Sequence, residues 1–215
     1  MIIRNLALIA LLISTQFFFA QNSEEEIFNL NFSPNNDGGK LIVCRDKKQI
    51  EINFFGKKVD KLDMGTNEML PNHFFINVDG IVFQTIIIPV PENIKKVYEM
   101  KKLTIKQQQE ILKGYMSYEV NYMNNDKNTA VRDIMFAEGD INYKKYFIWN
   151  YFYKNYKPQD DTSGDLVAGQ FCLSTLVFDQ VLTVSVPMTK ITMPNLIEKL
   201  KKIIENIKTH KQKCN

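Results

Sequence analysis

Apolar residues recur along this chain with two different periods, and the change from one to the other predicts its elements. Lys40 to Phe55 reads as two strands joined at Asp46-Lys47-Lys48. In the second, Ile50, Ile52 and Phe54 alternate with Gln49, Glu51 and Asn53, the period of two that arises when one face of a strand is buried. Phe74 to Val78 and Ile81 to Ile88 flank Asp79-Gly80, a pair whose tolerance of left-handed backbone suits a tight hairpin turn. Pro89 and Pro91 end this second hairpin, because proline cannot donate to a strand ladder.

From Thr104 the period becomes helical. Ile111, Tyr115, Tyr118 and Tyr122 recur at spacings of four, three and four, with Leu112, Met116 and Met123 widening the stripe. Thr104 and Gln107 have the spacing of a capping box, and Asn124-Asn125-Asp126-Lys127-Asn128 stops the helix. A third strand pair is expected from Val131 to Ala137 and from Asn142 to Lys154, turning at Glu138-Gly139-Asp140. After a polar loop, Asn155 to Asp165, a fourth pair runs from Leu166 to Phe178 and from Val181 to Val186, turning near Asp179-Gln180 and closed by Pro187. The last element is a helix from about Pro194 to Thr209, capped by Thr192, with Leu196, Leu200, Ile203 and Ile207 as its apolar stripe.

Strands joined by tight turns pair antiparallel, so the order strands, helix, strands, helix predicts an α+β domain. Two main amphipathic helices would pack on an antiparallel sheet of hairpins. This order, with the closing amphipathic helix and an export segment ahead of it, resembles the PsbP-like fold of photosystem II accessory proteins and some bacterial envelope proteins. The resemblance covers residues 40–209 and rests on element order, without a diagnostic residue motif. It implies a non-catalytic, partner-binding domain and assigns no role to any residue.

The first residues carry an address. Arg4 is the only charge before Glu24, and Leu6 to Phe19 is apolar except for Ser14, Thr15 and Gln16. Fourteen residues fall short of the roughly 20 needed to span a bilayer as a helix but fit the hydrophobic region of a secretory signal. Cleavage is expected between Ala20 and Gln21, although Phe18 is bulky for the position two residues before Ala20. An uncleaved signal anchor is the competing reading. Gln21 in place of a cysteine gives no sign of a lipoprotein. The expected organisation is a signal peptide over 1–20, a polar lead-in over 21–39, a single α+β domain over 40–209 and a basic tail over 210–215. The working location is the periplasm or the exterior, with no integral anchor after processing.

Taking Arg4 away from the 27 lysines and arginines leaves the processed chain 26 basic residues against 24 acidic ones. That near-neutral balance lacks the basic footprint of a nucleic-acid-binding protein. Lys199, Lys201, Lys202, Lys208, Lys211 and Lys213 cluster near the end, but Glu198 and Glu205 share their helix, as on a solvated face. Cys44, Cys172 and Cys214 are too few for a disulfide framework. Cys44 and Cys172 lie in apolar strands, where a bridge between them or two buried thiols would both fit, and Cys214 reads as the unpaired one.

Candidate chemistry is sparse. The histidines are His73 and His210, and no Gly-x-Ser-x-Gly elbow accompanies them; a His73–Cys or His73–Ser couple is the remaining nucleophilic reading. Cys-x-x-Cys and His-x-x-x-His spacings are missing, so zinc is poorly served. Asp160, Asp161 and Asp165 around Gly164 form the best calcium candidate, without EF-hand spacing or its closing glutamate; a plain solvated loop is the alternative. Phosphate-binding glycine motifs are absent, and no cofactor is expected.

Tyr143 to Tyr156 holds eight aromatics in fourteen positions. Such a run is either a buried two-sided strand or a binding platform, and Phe147, Trp149, Tyr151 and Tyr153 are the candidate partner-binding face. Together these features point to an exported, non-enzymatic binding or accessory protein that meets another envelope protein. An immunity or inhibitor protein against an exported toxin, and a hydrolase built on dispersed acids, are the alternatives.

Overall fold

The computed structural model describes residues 29–35, 37–45, 48–62, 73–125, 129–141, 144–190 and 196–211. The signal segment, Thr192 and Cys214 lie outside them. The described chain forms eleven strands: β1 Asn29–Asn35, β2 Gly38–Arg45, β3 Lys48–Phe55, β4 Val59–Leu62, β5 His73–Val78, β6 Ile81–Pro89, β7 Val131–Ile141, β8 Lys144–Tyr153, β9 Gly169–Val177, β10 Gln180–Met188 and β11 Lys208–His210. Its α-helices are α1 Glu92–Val97, α2 Ile105–Asn125 and α3 Leu196–Glu205.

All described strand pairs are antiparallel. They make two sheets, one of order β1-β2-β3-β11 and one of order β4-β5-β6-β10-β9-β8-β7. The α+β class with two main helices on antiparallel sheet is therefore what the chain adopts.

Local chemistry explains the elements that match expectation. Asp79 and Gly80 both take positive φ, 52° and 88°, the backbone that lets a two-residue turn follow the twist of its strands. At the start of α2 the capping box is formed both ways. The Gln107 N–H donates to Thr104 Oγ1 at 3.3 Å, and the Thr104 N–H donates to Gln107 Oε1 at 2.8 Å. Two otherwise unsatisfied donors are thereby met.

Other boundaries differ for non-local reasons. The polar lead-in contains β1, whose Leu30 and Phe32 pack on the core while Asn31 between them stays exposed. Glu138-Gly139-Asp140 is strand rather than turn, because β7 and β8 pair as far as Ile141↔Lys144. The Tyr146 ring lies over Gly139, where an added Cβ would stand 2.2 Å from it. The closing helix ends at Glu205, and the chain then pairs with β3 as β11.

Side-chain alternation divides the core in two. On β6, Phe83 and Ile87 face one cluster while Ile86 and Ile88 face the other. The first cluster lies between the two sheets and takes in Leu196, Leu200, Ile203 and Ile204 of α3. The second lies between the large sheet and α2, which adds Ile111, Leu112, Tyr115 and Met123. With both faces of the large sheet covered, β10 is buried at every position, Gln180 to Met188, as expected of a strand packed on two sides.

The sheets are also tied electrostatically. Asp179, in the β9–β10 turn, accepts from Lys48 Nζ of β3 at 2.5 Å and lies 3.8 Å from Lys95 Nζ of α1. Burial pushes the Asp179 carboxyl up, but these lysines prevail and hold it below the ordinary aspartate range.

Candidate functional site

Strand β8 settles the fate of the aromatic run. Tyr146 and Ile148 enter the inter-sheet core, whereas Phe147, Trp149, Tyr151 and Tyr153 point toward α2. Each of these four is 2% exposed or less. Trp149 and Tyr151 have ring centroids 5.7 Å apart, and Tyr151 meets Tyr153 edge to face at 5.7 Å. The four residues read as a candidate binding face thus stand inside the molecule, because α2 covers the side of the sheet from which they project.

A line of polar groups threads this second core. Trp149 Nε1 donates to Ser174 Oγ at 3.1 Å, the Ser174 and Thr183 hydroxyls lie 2.8 Å apart, and Thr183 Oγ1 donates to the Tyr115 hydroxyl at 3.4 Å. Beside it, the Tyr153 hydroxyl and the fully buried Gln170 amide lie close together without a hydrogen bond of good geometry. Burial pushes the Tyr153 phenol up to about 12. Burial, reinforced by Glu119, pushes the Tyr115 phenol and the Cys172 thiol well up. Cys172 is a free, buried thiol and Cys44 is disulfide-bonded, so the two are not paired with each other. Cys214, which the sequence suggested as the unpaired thiol, lies outside the described residues.

Glu119 is the residue sequence reasoning missed. It sits on the sheet-facing side of α2, 3% exposed, at the place in the stripe expected for Tyr118, which is 39% exposed. The signal was available: Leu112, Tyr115, Glu119 and Met123 also have helical spacing. Desolvation raises the Glu119 carboxyl to about 8.

His73, at the start of β5, meets Gln84 rather than a nucleophile. Gln84 Nε2 lies 3.5 Å from His73 Nδ1, and Ser185 Oγ donates to Gln84 Oε1 at 3.4 Å. A glutamine therefore stands between the histidine and the serine, and the direct couple is not formed. Desolvation lowers His73 to about 4, leaving it neutral at neutral pH.

The acidic loop does not converge on a cation site. The Asp161 carboxylate accepts the Leu166 N–H at 3.2 Å and the Tyr156 hydroxyl at 3.4 Å, and Lys190 Nζ lies 3.6 Å away. Asp165 bonds the Ser163 hydroxyl. Among the described residues no group of three or more His, Cys, Asp or Glu is arranged to hold a metal. Asp161 thus fastens its own loop.

Two surface features remain. An open depression of about 600 Å³ is lined by Asp37, Phe55, Gly56, Lys57, Asp79 and Lys202, with Lys202 Nζ 4.3 Å above the Phe55 ring. The other is β7, the outer strand of the large sheet. Ile134, Met135 and Phe136 are 37%, 57% and 52% exposed. A bulge between Arg132 and Met135, with Asp133 at φ 51°, breaks the register and contains Ile134. Phe136 stacks on Phe147, and Lys113 of α2 binds Glu138 at 2.8 Å. No helix among the described residues is long and apolar enough to cross a membrane.

No protein-family model matches the chain, and no curated protein matches it in sequence. Among solved structures it is similar to the solution structure of cyanobacterial PsbP (CyanoP) from Synechocystis sp. PCC 6803, with a TM-score of 0.48 and 8% identity. The match covers 89% of this chain and 98% of that chain. At such distance the likeness transfers no site and no role.

Proposed function

We propose that the protein is an exported, non-enzymatic binding protein whose partner is another protein of the cell envelope. An extended segment of that partner would add as a strand along the outer edge of β7. The observation that carries this reading is the run Ile134-Met135-Phe136, apolar and exposed on an eleven-residue strand with a strand partner on only one side among the described residues. A long apolar edge offers main-chain donors and acceptors together with side-chain anchors, which is how sheets recruit extended peptides. Glu138 and Asp140 are already held by Lys113 and Lys145, so an apolar strand can approach without confronting an unpaired carboxylate. Export is supported by the apolar segment ending at Ala20.

The test is affinity capture by the processed chain from its native envelope, followed by mass spectrometry, in parallel with Met135→Lys. At so exposed a site the substitution changes stability by no more than about 0.5 kcal/mol. The expected result is a specific envelope protein retained by the wild type and lost by the variant at unchanged melting temperature. Equal recovery by both proteins, or recovery of no specific protein, would overturn the reading.

A further inference from the structure

The interface between α2 and the large sheet holds a carboxyl group with no cation paired to it among the described residues. Glu119 is buried between Tyr115 and Met123 on the face of α2 that meets the aromatic side chains of β8. The titratable groups that feel it are Tyr115 and Tyr118 on its own helix, Tyr151 on β8 and Cys172 on β9. All four are neutral acids at neutral pH, and none is a cation. No ion pair to Glu119 is formed among the described residues, and the shift of its carboxyl has desolvation as its cause.

We propose that Glu119 is a protonation latch. Its neutral carboxyl lets α2 seat on the aromatic face of the large sheet, and loss of the proton to solvent favours a state in which the helix lifts and the carboxylate is hydrated. Geometry makes the helix the part that moves. The β8–β9–β10–β6 sheet is held by continuous ladders. By contrast, α2 is joined to the sheet mainly through side chains and is preceded by a loop. Lifting it would bare Trp149, Tyr151, Tyr153 and Cys172, which lie beneath it. Since Glu119 takes up its proton at about 8 when docked and at 4.5 when freely hydrated, opening should become about tenfold more favourable per pH unit between those values and level off above them.

Hydrogen exchange on the whole processed chain tests this without requiring the open state to be abundant. Protection factors of amides at 111–123 in α2 are compared with those of β9 and β10 from pH 5 to 9, in wild type and Glu119→Gln. The expected result is that α2 is less protected than the sheet. Its protection should fall about tenfold per pH unit up to pH 8 in the wild type and stay level in the variant. Three outcomes would overturn the latch: equal protection of helix and sheet, which makes them one unfolding unit; α2 protection independent of pH; or the same pH dependence in Glu119→Gln.

Discussion

His73 should make the acid limb of stability steep, and Glu119 should hide part of it. A histidine kept neutral by burial binds fewer protons folded than unfolded, so its contribution is complete above the unfolded value of 6.5 and is lost as pH falls toward the folded value of about 4. At about 1.4 kcal/mol per unit, the interval of roughly 2.5 units amounts to about 3 kcal/mol. Glu119 has the opposite sign. Its folded value of about 8 exceeds the ordinary 4.5, so it costs nothing below 4.5 and destabilises progressively as pH rises toward 8. Between pH 4.5 and 6.5 the two slopes, each about 1.4 kcal/mol per unit, run against each other, and the wild type should look nearly flat. The informative perturbation is therefore His73→Gln in a Glu119→Gln background, followed by urea unfolding at fixed ionic strength from pH 4 to 8. Glu119→Gln alone should lose about 3 kcal/mol from pH 6.5 to 4. The double variant should lose less by that amount, and the difference between them should vanish in slope above 6.5. If the two proteins have parallel pH profiles, His73 is not held neutral and the reasoning about its burial fails.

Three further outcomes are expected. Leu200→Ala, which empties a fully buried position where α3 meets the inter-sheet core, should cost about 3 kcal/mol in urea unfolding; a loss below about 1 kcal/mol would mean that α3 is not seated there. Asp179→Asn, which removes the half-buried charge facing Lys48 and Lys95, should cost about 1 kcal/mol at low salt and markedly less at 1 M salt. In unreduced native protein, a thiol reagent should leave Cys172 unmodified until the chain is denatured, and should modify Cys44 only after reduction, read by peptide mass.

Local signals in the sequence were reliable where a few adjacent residues settle the outcome. The period of two at Ile50, Ile52 and Phe54, the Asp79-Gly80 turn and the Thr104–Gln107 capping box all depend on backbone preference and near-neighbour hydrogen bonds. Where long-range pairing competes, the same reasoning misplaced boundaries. Glu138-Gly139-Asp140 has turn composition, yet the β8 ladder and the Tyr146 ring over Gly139 keep it in strand. The candidate site was the least legible part. A strand crowded with aromatics reads alike whether it faces solvent or a helix, and only the docking of α2 turned Phe147, Trp149, Tyr151 and Tyr153 inward.

By itself, then, the sequence determined the main hairpins and the two long helices, and that neighbouring strands pair antiparallel. Tertiary structure alone decided the division into two sheets, the pairing of β6 with β10 across 90 residues of intervening chain, and the phase of α2. That phase shows the reason most plainly. Moving one residue along a helix turns the side chain by about 100°, so the choice between burying Tyr118 and burying Glu119 rests on how the whole stripe from Ile111 to Met123 fits the sheet. The best packing of the other apolar residues carried a carboxyl inside.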